Sequence, residues 1–387
     1  MSDAPYFAAL GRALTEAGRF QPTLVIDRDR LDANADVVAR KKPQGRGLRL
    51  VDKSLAVPEL LARLMTRLQT QRVMSFHLPI TRTVLAAHPD AEILFGKPMP
   101  APALKQALTQ ASAEERQALS RRTVYLVDSA ERAKAYAEIA AALDLDLRVA
   151  AEIDVGMHRG GFASPEEMRF AFSGLPTSRI KLEGVMGYEA HIPKLPGFAG
   201  GPAGERRRVL DRYKAFVAML SPEERKILNI GGSNTALGYG PDLANEISMG
   251  SAFLKPTDFD TVELTDLLPA LFIATPILKR VKAQLPGPSF LTSLMQTLGK
   301  FPREGCFLYG GKWMATAVHP EGMRENALWG HSSNQQFMAL PDGSPAREGD
   351  FAFLRPSQSE AVLQQFGPIA VYAGGRIVEA WAPLPPG

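Results

Sequence analysis

Short β-branched or aliphatic runs alternate with amphipathic segments along most of the chain. Thr23–Asp27 predicts a strand, and Arg28–Arg40 a helix with apolar residues at helical spacing. Further strands are predicted at Leu48–Val51, Arg72–Phe76, Ala91–Phe95, Thr123–Val127, Leu147–Ile153, Ile180–Tyr188, Ile227–Ile230 and Ile247–Leu254. Helices are predicted between them at Val57–Leu68, Ile80–Ala87, Ala101–Leu108, Glu167–Phe172 and Arg206–Leu220. A further helix opens at Asp128, an N-cap with Glu131 as its capping-box acid, and runs to about Leu143. Roughly eight βα units in succession imply parallel strands with crossover helices. An open doubly wound sheet gives the same pattern. Polar and glycine-rich residues recur just after one strand after another, which favours a closed (β/α)8 TIM-like barrel.

The texture changes near residue 266. Pro269, Pro276, Pro286, Pro288, Pro302, Pro320 and Pro341 punctuate short runs such as Phe307–Tyr309 and Ile369–Tyr372, and no long amphipathic helix stands out. A mostly β C-terminal domain is expected. The expected division is therefore an N-terminal segment, 1–22, packing with the C-terminal domain, a barrel over 23–265, and a β domain over 266–387. The tail Ala382–Gly387 reads as a turn or a frayed end.

Composition narrows the function classes. The 387 residues are 45% apolar and 22% charged, enough for a substantial core, with a formal net charge of only +4. Basic residues are interleaved with acids, so no nucleic-acid partner is expected. The densest basic run, Arg206-Arg207-Arg208, reads as a solvated helix face. The single cysteine, Cys306, permits no intrachain disulfide. No signal-like or membrane-spanning stretch is seen, and a cytoplasmic protein without a membrane partner is expected.

Four places carry candidate chemistry. Lys53 ends the second predicted strand, where a charge is disfavoured and an amine can serve as a Schiff-base former; the alternative is a rim lysine paired with Asp52. After the strand ending in Glu152 and Asp154, a glycine-bounded loop presents His158 and Arg159. Arg159 can hold an anion or a ring nitrogen, or merely close the loop through Asp154. Gly187-Tyr188-Glu189-Ala190-His191 offers a ring to stack and a general base, though His191 alone also reads as a loop histidine. Gly231-Gly232-Ser233-Asn234-Thr235 suits a phosphate through converging backbone N–H groups, with Gly250-Ser251 completing the cradle, although Gly-Gly-Ser is also a common turn.

The order of these motifs resembles the fold-type III pyridoxal-phosphate enzymes, the alanine-racemase-like barrels. Within them the chain is most similar to the D-threonine aldolase and D-serine dehydratase branch, from Pro22 to Trp381. The resemblance implies pyridoxal 5'-phosphate as cofactor, a small amino-acid substrate and a homodimer. It implies Lys53 as the Schiff-base lysine, Arg159 as a contact to the cofactor ring and Tyr188 beside the cofactor. His191 would lie near the substrate β-hydroxyl. Gly231, Gly232, Ser233, Asn234 and Ser251 would form the phosphate site.

One departure bears on the reaction. The branch usually carries a divalent metal on a His followed two residues later by Cys or Asp; the matching place here is Gln358-Ser359-Glu360. Glu360 can bind a hard cation, but Gln358 is a poor replacement for imidazole, so metal independence is expected. A different metal site built from Glu360, His319 or His331 stays open on the sequence. Ser54-Leu55 also stand where the branch usually has Thr-His. The leading expectation is a lyase acting on a D-configured β-hydroxy-α-amino acid. Aldol cleavage with His191 as base is favoured over dehydration, in which hydroxide must leave without a Lewis acid. The alternatives are D-serine dehydratase-type deamination and a racemase or epimerase. A racemase needs a second acid/base, for which only Tyr309 and Tyr372 are available in the C-terminal half. A cofactor-handling protein is disfavoured by the extra domain.

Overall fold

Strand-sized apolar runs find partners in two different places in the computed structural model, which describes residues 3–176, 179–240 and 243–384. The first, β1 (Thr23–Asp27), is buried along its whole length. The next eight are β2 (Gly47–Val51), β3 (Arg72–Ser75), β4 (Glu92–Phe95), β5 (Thr123–Val127), β6 (Leu147–Ile153), β7 (Ile180–Gly187), β8 (Ile227–Ile230) and β9 (Glu246–Met249). They close into a barrel in chain order, every neighbouring pair parallel and β9 returning to β2. Helices separate the strands, so the structure is the (β/α)8 barrel that the periodicity predicts.

The barrel interior is filled in two layers. Val51, Met74, Leu94, Val124, Leu126, Ala150, Met186 and Ile227 form an apolar cluster, with Phe76 and Tyr188 packed against it. Nearer the amino ends of the strands the filling is ionic. Arg49 is wholly buried and clamps Glu246 with both arms, Nε to Oε1 at 2.8 Å and Nη2 to Oε2 at 2.7 Å. Asn229 Nδ2 also donates to Glu246 Oε1 (2.8 Å), and Glu92 bridges Arg49 to Arg148. Such a cluster persists in a dry interior only because nearly every charge has a partner.

The remaining strands are β10 (Leu271–Lys282), β11 (Glu304–Leu308), β12 (Ala315–His319), β13 (Arg324–Glu325), β14 (Phe337–Leu340), β15 (Phe351–Pro356), β16 (Ile369–Ala373) and β17 (Arg376–Trp381). With β1 they make a nine-stranded sheet in the order β13-β14-β11-β10-β1-β16-β17, β15 pairing with β10 and β12. Thus β1 does not open the barrel. It pairs antiparallel with β10 (Thr23 opposite Ala274) and parallel with β16. The helix Ala4–Glu16 packs Phe7, Leu10 and Leu14 against Val25, Phe272, Phe353 and Tyr372.

The chain accordingly divides into two units. One comprises the described residues through Asn34 with Phe253–Asp260 and Leu267–Leu384; the other comprises Ala35–Ala252 and Thr261–Asp266. Two local expectations also change. The strand expected over Ile247–Leu254 stops at Met249, and Ser251–Leu254 is one helical turn. The helix after β5 is capped by Ser129, whose hydroxyl accepts from Arg132 N–H, while Asp128 pairs with the Arg132 side chain at 2.6 Å. Within the second half a short helix, Ser289–Thr297, does form. Pro385–Gly387 lie outside the described residues. Among the described residues no helix is long and apolar enough to cross a membrane.

Candidate active site at the carboxyl ends of the barrel strands

Lys53 stands in the short 3-10 turn Asp52–Leu55 that leaves β2, and its Nζ lies 4.7 Å from the centre of the Phe76 ring beyond β3. Asp52, next to it, is wholly buried, with Ser75 among its neighbours. Burial dominates there and pushes the Asp52 carboxyl up to about 7, against the opposing pull of the Ser75 hydroxyl and of Lys53. A raised folded-state value means the native protein holds a proton that the unfolded chain releases. Stability from this group is therefore full below about pH 4 and declines as pH rises toward 7. Asp52→Asn is expected to flatten that decline and to raise the urea midpoint at pH 8; an unchanged pH profile of the midpoint would contradict the assignment.

The loop after β6 is built by Asp154. Its Oδ1 accepts from the backbone N–H groups of Gly156 (2.9 Å) and His158 (3.0 Å), and Oδ2 meets His158 Nδ1 at 2.6 Å. Burial alone would raise Asp154, but these bonds outweigh it and hold the carboxyl below its ordinary value. The alternative in which Asp154 closes the loop through Arg159 is thus replaced by His158. Among the described residues no carboxylate lies within 4 Å of Arg159, though Glu152 feels its charge; the guanidinium lies 5.0 Å over the Tyr188 ring. Such a cation, stacked on a ring, is available to an anion or a heteroaromatic nitrogen.

Tyr188 leaves β7 and covers the loop after β8. A Cβ on Gly232 would stand 2.7 Å from Tyr188 Cε2, so only glycine lets the ring lie there. Glu189, wholly buried, ties the two segments together: Thr235 Oγ1 donates to Oε1 at 2.5 Å and Gly231 N–H to Oε2 at 3.3 Å. Ser233 Oγ in turn accepts from Gly250 N–H (3.1 Å) and Ala252 N–H (3.2 Å) beyond β9. Both lone pairs of that hydroxyl are used, leaving its proton to donate. Ser251 is buried at the head of this turn, and Asn234 Oδ1 accepts from Thr261 at 3.4 Å, bracing the loop. Because β9 pairs with β2 (Met249 beside Leu50), the Ser233 loop reaches the end of the strand that carries Lys53.

The structure therefore joins Lys53, Ser233, Gly232, Tyr188 and Arg159 along one rim. His191 belongs to a separate cluster, 3.1 Å from Glu205. Glu189 and Glu205 were not singled out by sequence. The only signal for Glu189 is an acid between two candidate residues, and for Glu205 its place before an arginine run. That run is not simply solvated, since Arg206 pairs with Glu263 and Arg208 with Glu205.

The place matching the metal pair lies in the other unit. Gln358 Nε2 donates to Asp258 Oδ2 at 3.0 Å, Ser359 Oγ to Glu360 Oε2 at 3.2 Å, and Arg355 clamps Asp260 with both arms. His319 stacks on Phe7 and His331 faces Glu325 at 3.7 Å. Among the described residues no three His, Cys, Asp or Glu side chains gather as a metal group. An amide that donates to Asp258 and a carboxylate that accepts from Ser359 are a poor donor pair for a divalent metal. Of the two tyrosines considered for a racemase, Tyr372 is buried in the core cluster and Tyr309 is exposed.

The fold has well-matched solved relatives. D-threo-3-hydroxyaspartate dehydratase from Delftia sp. HT23 superposes with a TM-score of 0.72 at 19% identity, over 95% of this chain and 98% of that one. D-threonine aldolase from Filomicrobium marinum gives 0.71 at 16% identity, over 94% and 96%. An alanine racemase from Bacillus anthracis gives 0.67 at 15%, over 94% and 98%. No curated protein matches the chain. The model of the alanine racemase N-terminal domain matches residues 26–257, a span that holds the rim just described, and the enzymes of that family depend on pyridoxal phosphate. By that match the chain belongs to the alanine racemase N-terminal domain family.

Proposed function

We propose that this chain is a pyridoxal-phosphate-dependent lyase that cleaves, or forms, the Cα–Cβ bond of a D-configured β-hydroxy-α-amino acid in the aldol sense, without a metal. The observation that carries the reading is the rim itself: a lysine, an arginine over a tyrosine ring, and a serine hydroxyl with only its proton to offer. These are the groups that an aldehyde, a heteroaromatic ring and a phosphate require.

Lys53 is the amine that would hold the cofactor. Ser233 and Ser251 would hold its phosphate, in a loop shaped by Glu189 and Thr235, which take the Gly231 and Gly232 N–H groups; Arg159 would hold its ring, and Tyr188 would stack beside it. Bound there, pyridoxal phosphate supplies an electron sink for the amino acid's Cα. Arg159 and Ser233 orient charge, and the apolar layer below Phe76 and Tyr188 keeps water from the floor. His191 takes the proton from the substrate's β-hydroxyl oxygen, the one proton transfer that aldol cleavage needs at Cβ. Dehydration asks instead for departure of hydroxide, and the donor set at Gln358 and Glu360 does not fit the metal that would assist it. The dehydratase and the aldolase that share this fold are both named for hydroxylated D-amino acids, which supports a substrate of that class.

The test is product analysis on the cofactor-loaded protein with a panel of D- and L-amino acids. Glycine with an aldehyde is expected from D-threonine-like substrates. Ammonia with a keto acid would replace the reading by a dehydratase, and solvent deuterium at Cα with inversion by a racemase. His191→Ala should keep the cofactor's visible absorbance and lower retro-aldol turnover by roughly 10²–10⁴-fold; unchanged turnover removes His191 from the chemistry.

Glu189 gives an independent check on the phosphate loop. Glu189→Ala leaves the Gly231 N–H without its acceptor and the Thr235 hydroxyl with only the Gly232 carbonyl at 3.4 Å, a loss of about 1–3 kcal/mol. Cofactor affinity, read by absorbance titration, is expected to fall roughly ten- to hundredfold with little change in far-UV circular dichroism. Unaltered affinity would show that Glu189 does not shape the loop.

A further inference from the structure

Beyond the rim, the segment after β7 and the helix Gly201–Ala218 bring a histidine and a carboxylate together inside the barrel unit. His191 Nε2 lies 3.1 Å from Glu205 Oε1. The other oxygen, Oε2, accepts from Arg208 Nη1 at 2.5 Å, and Arg208 is itself steadied by the Ala199 carbonyl at 3.2 Å. Glu205 is 7% exposed, so its orientation is fixed by these two partners. Burial alone would raise its carboxyl, but the bonds from His191 and Arg208 outweigh that and hold it below the ordinary range. It therefore stays an acceptor on both oxygens.

An acceptor-only group facing Nε2 requires the hydrogen to sit on Nε2. The neutral ring then carries its basic lone pair on Nδ1. That nitrogen is buried, and no described residue hydrogen-bonds it. A buried ring nitrogen in that condition is unfavourable unless a ligand completes it. The loop after β6 makes room for the pair. A Cβ on Gly156, where φ is +123°, would stand 3.0 Å from Glu205 Oε1, 3.5 Å from His191 Nε2 and 2.5 Å from Arg212 Nη1. Any side chain there would drive into the cluster.

We propose that Glu205 is a positioning residue that fixes His191 in the Nε2–H tautomer and so makes Nδ1 the nitrogen that takes the substrate's hydroxyl proton. The proposal rests on the reading of His191 as the base. In the step the substrate O–H bond breaks, an N–H bond forms at Nδ1, and the positive charge gained by the ring faces the Glu205 carboxylate. The charged groups around the ring are Glu205, Arg208 and Arg212; Arg208 holds the carboxylate in register.

The experiment uses the cofactor-loaded protein labelled with ¹⁵N-histidine. Ring ¹⁵N spectra should show His191, identified by its loss in His191→Ala, as the Nε2–H tautomer, with a mixture of tautomers in Glu205→Leu. Turnover of Glu205→Leu is expected to fall about 10²-fold with KM changed little. Glu205→Gln, whose carbonyl can still accept from Nε2, should keep the tautomer, lose less turnover, and serve if the leucine variant folds poorly. In the His191→Ala background either change should have no further effect. An Nδ1–H tautomer in the wild type, or an undiminished effect of Glu205 substitution without His191, overturns the proposal. Normal turnover by His191→Ala overturns the base reading and the proton step with it, whereas the tautomer spectrum reports on the Glu205–His191 pair alone.

Discussion

Lys53→Ala is expected to lose turnover by roughly 10⁴-fold or more and to leave a protein that borohydride no longer ties to the cofactor. The expectation follows from where the amine stands. Lys53 leaves the first barrel strand in a short turn, half-buried, with its Nζ against the face of Phe76. The side chain contributes little to the core, so the unfolding free energy should change by no more than about 1 kcal/mol. Lys53→Arg separates charge from chemistry. The guanidinium keeps the positive charge but does not deprotonate, and it should be as inactive as the alanine variant. A Lys53→Ala protein in which borohydride still fixed the cofactor to the chain would end the assignment of this residue. Retained turnover in Lys53→Arg would mean that charge alone is needed there.

The largest stability effect is expected at the other end of the barrel. Arg49→Met should lower stability by about 3–5 kcal/mol, because it strands Glu246, only 1% exposed, without its bidentate partner. The same substitution also takes donors from the carbonyls of Val73 and Glu92. Removing both charges, Arg49→Met with Glu246→Leu, should recover much of the loss, since an apolar pair of similar volume avoids the desolvation that the ions suffer. Urea midpoints of the single and double variants decide it. A single-variant loss below about 1 kcal/mol would show that water reaches the cluster and screens it.

The barrel was legible because its strands and helices differ in period, and because side chains with chemistry follow strand after strand. The assignment of β1 was not. Leu24, Val25 and Ile26 are all buried, and a run buried on both faces reads alike in a barrel and in a mixed sheet. Met249 and Leu254 read as one strand because a single Gly-Ser pair in an apolar run does not mark where the chain turns from extended to helical. At the site, Lys53, Arg159, Tyr188 and Ser233 could be picked out because each is unusual for its position. Glu205 could not, since the turns between it and His191 place the two side chains together in a way no spacing rule anticipates. The polar filling around Arg49 was likewise hidden, because its partners come from strands far apart in sequence.

The pairing of β1 sets an order of events during synthesis. Thr23–Asp27 leaves the ribosome before any barrel strand, yet Ala274 and Ala370, the residues beside Thr23 and Val25, are made only after the barrel strands. The barrel residues Ala35–Ala252 can thus close while β1 still waits with both edges open, a condition that invites pairing with other chains. A nascent chain stalled between β9 and β10 would carry a finished barrel and an orphaned strand. For anyone wishing to produce the barrel alone, the natural cut lies after Asn34 and not before Thr23.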